Sequence, residues 1–237
     1  MKDLYVRCVR LVRAVLGRLG VVALLDRAAR RSRTALWVRS WLAVYDLDDM
    51  LRLDVPWWTF EAADGVEVLL RQRPGARVFE WGSGASTVWL AARAGSVTSV
   101  EHDVAWAEQM RRVLPANAEL RVVEPVRRPG GARSAKPGFE GLDFTDYVAA
   151  LTPSDGLFDV VVVDGRAREA CLDRALDHVA AGGLLVVDNV DRARYRDALA
   201  RHGQRLQVEW TRGRTPALPY PTRTALVRVR PADARAA

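Results

Sequence analysis

Two kinds of hydrophobic pattern alternate along most of this chain. FDVVVVDG (158–165) and GGLLVVDNV (182–190) are too continuously apolar for a strand with one wet face, and they read as central strands of a parallel sheet covered on both sides. A run ending at Val78 and Phe79 and the β-branched SVTSVEHD (96–103) predict two more strands, with a helix over Ser86 to Ala94 between them. Val66, Leu69 and Leu70 have the spacing of a helix packed beside the first strand, and DRALDHVAAGG predicts a helix that Gly182 and Gly183 stop. Two last strands, around 206–211 and 223–230, are joined by the hairpin-like TPALPYPT (215–222), a candidate wall of a pocket. Strands alternating with helices predict an α/β domain with a mostly parallel sheet and helices on both faces.

Candidate chemistry enters at the strand ends. In VFEWGSGAST (78–87) an acid and two glycines stand where a buried strand turns into a helix. Gly82 and Gly84 are expected to take positive φ and let a ligand approach the backbone, beside the unpaired N–H groups that open the helix. The third glycine of the dinucleotide fingerprint is replaced by Thr87, and Glu80 supplies an acid that fingerprint does not require. Glu101 closes the second strand, where a carboxylate can accept hydrogen bonds from both ribose hydroxyls of a nucleoside, with His102 next to it. Asp164 ends the third signal, and Asp188 and Asn189 end the fourth. In a doubly wound sheet all of these lie on one rim, outside the carboxyl ends of the strands.

The pattern E-x-G-x-G-x-S-T at 80–87, with the strand-end acids in register after it, resembles class I S-adenosylmethionine-dependent methyltransferases over residues 70–190. The resemblance implies a Rossmann-like, doubly wound seven-stranded sheet, mostly parallel with an antiparallel last strand. It implies S-adenosylmethionine held by Glu80, Gly82, Ser83, Gly84, Ser86 and Thr87 at its methionine part, with Glu101, His102 and Asp164 completing the site. Asp164, Arg168, Asp188 and Asn189 are then the catalytic candidates facing the acceptor. Within the superfamily, Asp164, Asp188 and Asn189 look like the Mg²⁺ ligands of catechol-type O-methyltransferases, a donor set that suits a hard divalent ion. That family carries a lysine three residues beyond the first aspartate, where this chain has Ala167, flanked by Arg166 and Arg168. The segments DGRAREAC (164–171) and DNVDRARY (188–195) look closer to a bacterial group of sugar O-methyltransferase-like proteins of unassigned substrate. The metal-free reading is preferred, with the Mg²⁺ reading beside it. Proton removal from a hydroxyl acceptor falls to Asp164, Asp188 or His178, the last being the weakest because a histidine near a helix end ordinarily contacts the last carbonyls.

Composition narrows the partners. The 237 residues hold two cysteines, Cys8 and Cys171, which give no disulfide framework and suit a reduced, cytoplasmic protein. Lysine is confined to Lys2 and Lys136 amid abundant arginine and alanine, a codon signature of a bacterial genome. The net charge of +7 is concentrated at the start: residues 1–40 carry ten basic side chains against Asp3 and Asp26, which leaves −1 for the rest. A near-neutral core argues against a nucleic-acid partner and for a small-molecule or glycan acceptor.

The chain divides into 1–65, a basic amphipathic helix with a helical and aromatic cap, and 66–237, the Rossmann-like domain. Leu4 to Leu25 predicts one helix, with arginines in one arc, too often interrupted by charge to span a bilayer and without a signal-peptide cleavage pattern. Packing on its own domain or on a second copy in a homo-oligomer is the preferred reading. The other is a helix lying on the inner face of an anionic membrane. Pro56, Trp57 and Trp58 form a loop suited to core packing or to a sugar-facing lid, and RRPGGARSAKPGFEG (127–141) reads as a long loop, either a closure over the acceptor or a disordered insertion. The reaction implied is O-methylation of a sugar or other hydroxyl-bearing small molecule. The alternative is a non-catalytic protein of the same fold that docks through its basic helix.

Overall fold

The computed structural model describes residues 2–44 and 46–230, with the side chains of the first few residues of that range left aside. Met1 and Tyr45, within the expected 1–65 unit, and residues 231–237, within the expected 66–237 unit, lie outside the described residues. Seven strands form one sheet: β1 (Arg77–Trp81), β2 (Ser96–Glu101), β3 (Ala118–Val122), β6 (Phe158–Val163), β7 (Val179–Asp188), β8 (Leu206–Arg214) and β9 (Pro221–Val229). Their order is β3-β2-β1-β6-β7-β9-β8. The first five run parallel, and β9 lies antiparallel between β7 and β8. This is the doubly wound, Rossmann-like sheet that the apolar runs predict. Two short strands, β4 (Val126–Arg127) and β5 (Leu142–Asp143), pair apart from it.

Alternation along the central strands fills two cores. Phe79, Trp81, Val161, Val163, Leu185 and Val187 pack with residues of α8 (Thr145–Ala149), α9 (Arg168–Ala175) and α10 (Ala193–Arg201). Val78, Val160, Val162, Leu184 and Val186 pack on the other face with α5 (Phe60–Gln72) and α6 (Ala85–Ala91). Because side chains alternate across a strand, Glu80 falls on the second, apolar face and is fully buried there. The division expected at residue 65 falls inside α5, whose Val66, Leu69 and Leu70 are buried in that face.

Among the described residues four α-helices precede α5: α1 (Lys2–Arg18), α2 (Val21–Ala29), α3 (Arg33–Ser40) and α4 (Leu47–Leu53). The single helix expected over Leu4 to Leu25 is therefore two, broken where Gly20 takes φ +74°. The cap is organised around Arg39, a fully buried guanidinium that donates to Asp26 at 2.6 Å and to both oxygens of Asp49 at 2.9 and 2.7 Å. Arg13 of α1 reaches the same cluster, 2.8 Å from Asp46 and 2.8 Å from Asp49. The 215–222 connection joins this cap instead of walling a pocket: Trp37 donates to the Leu218 carbonyl at 2.8 Å, and the Ala217 amide to Ser40 Oγ at 2.8 Å.

Gly182 and Gly183 differ from expectation as well. They stop no helix; α9 ends at Ala175, and the pair sits inside β7, where the register with β6 shifts. A Cβ on Gly183 would lie 2.8 Å from the carbonyl oxygens of Ala180 and Asp159, so the bulge needs a residue without a side chain. The 127–141 segment is held down by an Arg128–Asp143 ion pair and by the Ala132 carbonyl, which accepts from the Phe144 amide at 2.8 Å.

The buried Arg39 cluster yields a stability prediction. Removing one member of a buried ion pair strands the other and costs about 3–5 kcal/mol. Arg39→Ala should fall near the low end, about 3 kcal/mol, because Arg13 still neutralises Asp49; denaturant unfolding followed by circular dichroism measures it, and a loss below about 0.5 kcal/mol would contradict the organising role.

Candidate active site

The turn after β1 is shaped from below. Glu80 accepts hydrogen bonds from Ser86 Oγ at 2.5 Å, Thr87 Oγ1 at 2.6 Å and Ser99 Oγ at 2.7 Å. Thr87 Oγ1 also accepts from the Gly84 amide at 3.0 Å, which closes the first turn of α6. Glu80 and Thr87 thus sit beneath the loop and do not line the cavity above it. Burial pushes the Glu80 carboxyl up to about 7, against the pull of its three hydroxyl partners, and the Asp164 carboxylate adds to the rise.

Gly82 takes φ +98°, and a Cβ there would meet Gly165 Cα and N at 2.8 Å. The loops after β1 and β6 are pressed backbone to backbone, which only glycine allows. Gly84 departs from expectation: its φ of 175° is extended backbone, and a Cβ would meet nothing within 4 Å. It faces the cavity, so its missing side chain leaves room for a ligand and is not needed for the turn.

Glu101 is buried at the end of β2 and fully engaged. Oε2 accepts from the Ser83 amide at 3.1 Å and Ser83 Oγ at 2.8 Å, and Oε1 from the amides of His102 at 2.8 Å and Asp103 at 3.0 Å. Burial raises this carboxyl, but the His102 ring, the Asp103 amide and the Ser83 hydroxyl outweigh it and hold the group below its ordinary range. Trp106, a residue that no motif flags, donates from Nε1 to the Ser83 carbonyl at 2.9 Å and pins the loop from the next helix, α7 (Val104–Arg111).

These groups border a cavity of about 430 Å³. Gly82, Ser83, Gly84 and Ser86 form one wall, Glu101, His102, Asp103 and Trp106 a second, and Asp164, Gly165 and Arg166 a third. Asp46, Leu47, Met50 and Trp57 come from the cap, and Lys136 and Phe139 from the 127–141 segment. Phe139 packs its ring 5.4 Å from that of His102 and under the Arg166 guanidinium at 5.2 Å, so this segment is a wall of the site. Trp57 faces the cavity, whereas Trp58 is buried and donates from Nε1 to Asp164 Oδ2 at 3.3 Å.

Arg168, Asp188 and Asn189 stand behind this cavity and do not border it. The buried Arg168 guanidinium donates to Asp164 Oδ1 at 2.6 Å, to the Asp164 and Asp188 carbonyls at 2.6 Å each, and to the Gly165 carbonyl at 3.1 Å. Asp188 accepts from Thr224 Oγ1 at 2.7 Å and from Asn189 Nδ2. Burial and the neighbouring Asp164 carboxylate raise the Asp188 carboxyl, and Arg168 opposes them. The candidate Mg²⁺ ligands do not fit that ion: the buried Arg168 guanidinium lies 2.6 Å from Asp164 Oδ1 and 3.9 Å from Asp188 Oδ2, a cation where the ion would have to bind, and Asn189 turns its Nδ2 donor and not its oxygen toward Asp188. Ala167, where the lysine of the catechol-type enzymes is missing, is buried and takes φ +48° ahead of α9. His178 is remote from the site. It lies where β6 and β7 begin, at the opposite end of the strands, with Nδ1 3.0 Å from the Gly156 carbonyl oxygen.

No family model and no curated protein matches this sequence. Solved structures do share its fold. Cofactor-bound Rv0187 from MTB aligns over 79% of this chain and 89% of its own at 24% identity and a TM-score of 0.52. The O-methyltransferase from Bacillus cereus, solved with SAH, aligns over 78% and 90% at 18% identity and 0.52. The O-methyltransferase TomG from Streptomyces achromogenes, solved with SAM, aligns over 72% and 80% at 19% identity and 0.51. The Rossmann-like fold of this chain is thus one that O-methyltransferases use.

Glu80 generates the prediction of this site. A carboxyl raised from its unfolded value to about 7 stabilises the fold below the unfolded pKa and loses that contribution as pH climbs to 7. Glu80→Gln removes the titration. The stability difference between wild type and this variant should therefore shift by about 3 kcal/mol against the wild type between pH 4.5 and 7. Parallel unfolding curves across that window would refute the raised carboxyl.

Proposed function

We propose that this chain is a class I S-adenosylmethionine-dependent methyltransferase acting on a hydroxyl of a sugar or another small molecule. The observation that carries this reading is the convergence of Glu101, through Ser83, and Asp164 on one cavity at the ends of three adjacent strands. Its volume lies within the roughly 300–1,000 Å³ of small-molecule sites.

The residues present fit the methyl donor. Gly84 leaves open space beside the loop amides, and Glu101 borders the same cavity with an Oε2 position that can accept from a ribose hydroxyl. All four acceptor positions of that carboxylate are in use, so Ser83 Oγ must turn away to admit that hydroxyl. When bound, the donor supplies a sulfonium methyl open to in-line displacement. The chain's part is positioning and water exclusion, which can lower such a barrier by about 7–11 kcal/mol. Trp57, Leu47 and Met50 supply apolar walls for that purpose. With the donor bound, Asp164 would take the acceptor hydroxyl's proton as the C–O bond forms and the S–CH₃ bond breaks, the thioether S-adenosylhomocysteine being the leaving group. Arg168 holds one oxygen of Asp164 and fixes its orientation, and Oδ2 keeps acceptor capacity beyond its long contact with Trp58. Arg168 is thus a positioning residue, and Asp188 and Asn189 support it from β7.

Calorimetric titration with S-adenosylhomocysteine tests the cofactor site. Wild type should bind in the micromolar range, Glu101→Ala should lose about tenfold or more, and Ser83→Ala should bind at least as tightly as wild type. Failure of the wild type to bind would sink the methyltransferase reading. With an acceptor found among phenols and glycans, Asp164→Asn should lower kcat by roughly 10²–10⁴-fold while leaving S-adenosylhomocysteine affinity within a few fold. EDTA should leave the wild-type rate unchanged, and a rate restored only by Mg²⁺ would overturn the account of Arg168.

A further inference from the structure

The outer face of α1 is unaccounted for by the cavity or the cores. Val9 of this helix joins the cap cluster, and Arg13 pairs with Asp46 and Asp49 on the same inward side. Facing away, Leu11, Val15 and Leu19 recur every four residues with Val12 beside them, and they are 67, 47, 71 and 49% exposed, respectively. Leu24 on α2 is also exposed, at 63%. Contiguous aliphatic exposure of this kind on a soluble fold marks a docking surface.

The charges bordering the stripe select the occupant. Arg7 and Arg18 share the ridge of Leu11, Arg10 lies further round the helix, and Arg27, Arg30 and Arg31 continue the basic border along and after α2; all six are exposed. The only acid between residues 6 and 31 is Asp26, and Arg39 already holds it. A second copy docked by this face would set arginines against arginines, since a two-fold interface repeats the same patch on both sides. An anionic bilayer satisfies both features at once: the aliphatic side chains enter the headgroup boundary while the arginines reach lipid phosphates. No described helix is long and apolar enough to cross a membrane, so the contact lies along the surface.

We infer that α1 and α2 dock this protein on the surface of an anionic phospholipid bilayer. Docking bears on the cavity through one linkage: Arg13, on the opposite side of α1 from the stripe, holds Asp46, a cavity-lining residue at the start of α4. The cavity wall formed by the cap is thereby tied to the membrane-facing helix. The inference is independent of the reaction and is tested without an acceptor.

Vesicle co-sedimentation of the full chain decides it. Wild type should bind phosphatidylglycerol vesicles, release as salt rises, and leave phosphatidylcholine vesicles unbound. Leu11→Ser with Leu19→Ser should weaken binding at least about tenfold. Arg7→Gln, Arg10→Gln and Arg18→Gln together should weaken it on the order of a hundredfold. Because those arginines are exposed, the charge variant keeps the test valid if the leucine variant is misfolded by circular dichroism. Light scattering supplies the opposing outcome. A wild-type dimer that Leu11→Ser and Leu19→Ser convert to monomer would overturn the inference in favour of a second copy, as would absence of phosphatidylglycerol binding.

Discussion

Backbone packs against backbone where the loop after β1 meets the loop after β6, at Gly82 and Gly165. No side chain separates the two turns, so the ends of these strands stand as close as peptide groups allow. Glu80 ties the same turn down from the buried face of the sheet, with hydroxyls from α6 and β2 closing on one carboxyl. Only with that turn in place does the Ser83 amide reach Glu101 on β2 while Asp164 on β6 opens into the same cavity. An aliphatic residue at 80 would leave three buried hydroxyls without their acceptor, which costs more than the charge it removes.

Arg168 answers the charge problem that the strand ends create. Two aspartates close in sequence register on adjacent strands repel in a dry environment, and a divalent ion or an internal cation can relieve them. This chain uses the internal cation, which spends its donors on the carbonyls of Asp164, Gly165 and Asp188 and on one carboxylate oxygen. An arginine keeps its proton, so the arrangement holds geometry and charge without contributing a base.

The two flanking segments follow different rules. The 127–141 segment, rich in glycine and proline, is anchored because Phe139 finds the His102 and Arg166 side chains and Asp143 finds Arg128. The cap is anchored because Arg39 gathers carboxylates from α2 and α4. In α1 the inward residues are satisfied by this cluster and the outward leucines and valines are not.

Apolar runs at 158–163 and 184–187 are legible as buried parallel strands, because a strand covered on both faces cannot alternate. Parallel topology then puts the strand-end acids on one rim, which is why Glu101 and Asp164, read as strand ends, line one cavity. Three features were not visible. The glycine pair 182–183 reads equally as a helix stop or a bulge, and the neighbouring Asp159 carbonyl on β6 decides for the bulge. Gly20 breaks a run whose periodicity continues through it. Trp106 carries no motif, and its contact with the Ser83 carbonyl exists only once α7 docks. By itself the sequence determined six of the sheet's seven strands, all but β3, with their order of appearance and the acids that end them, since these follow from local periodicity. Which acids face the cavity and which lie buried behind a guanidinium was decided by tertiary structure, because the charge each carboxylate sees depends on side chains brought from other elements.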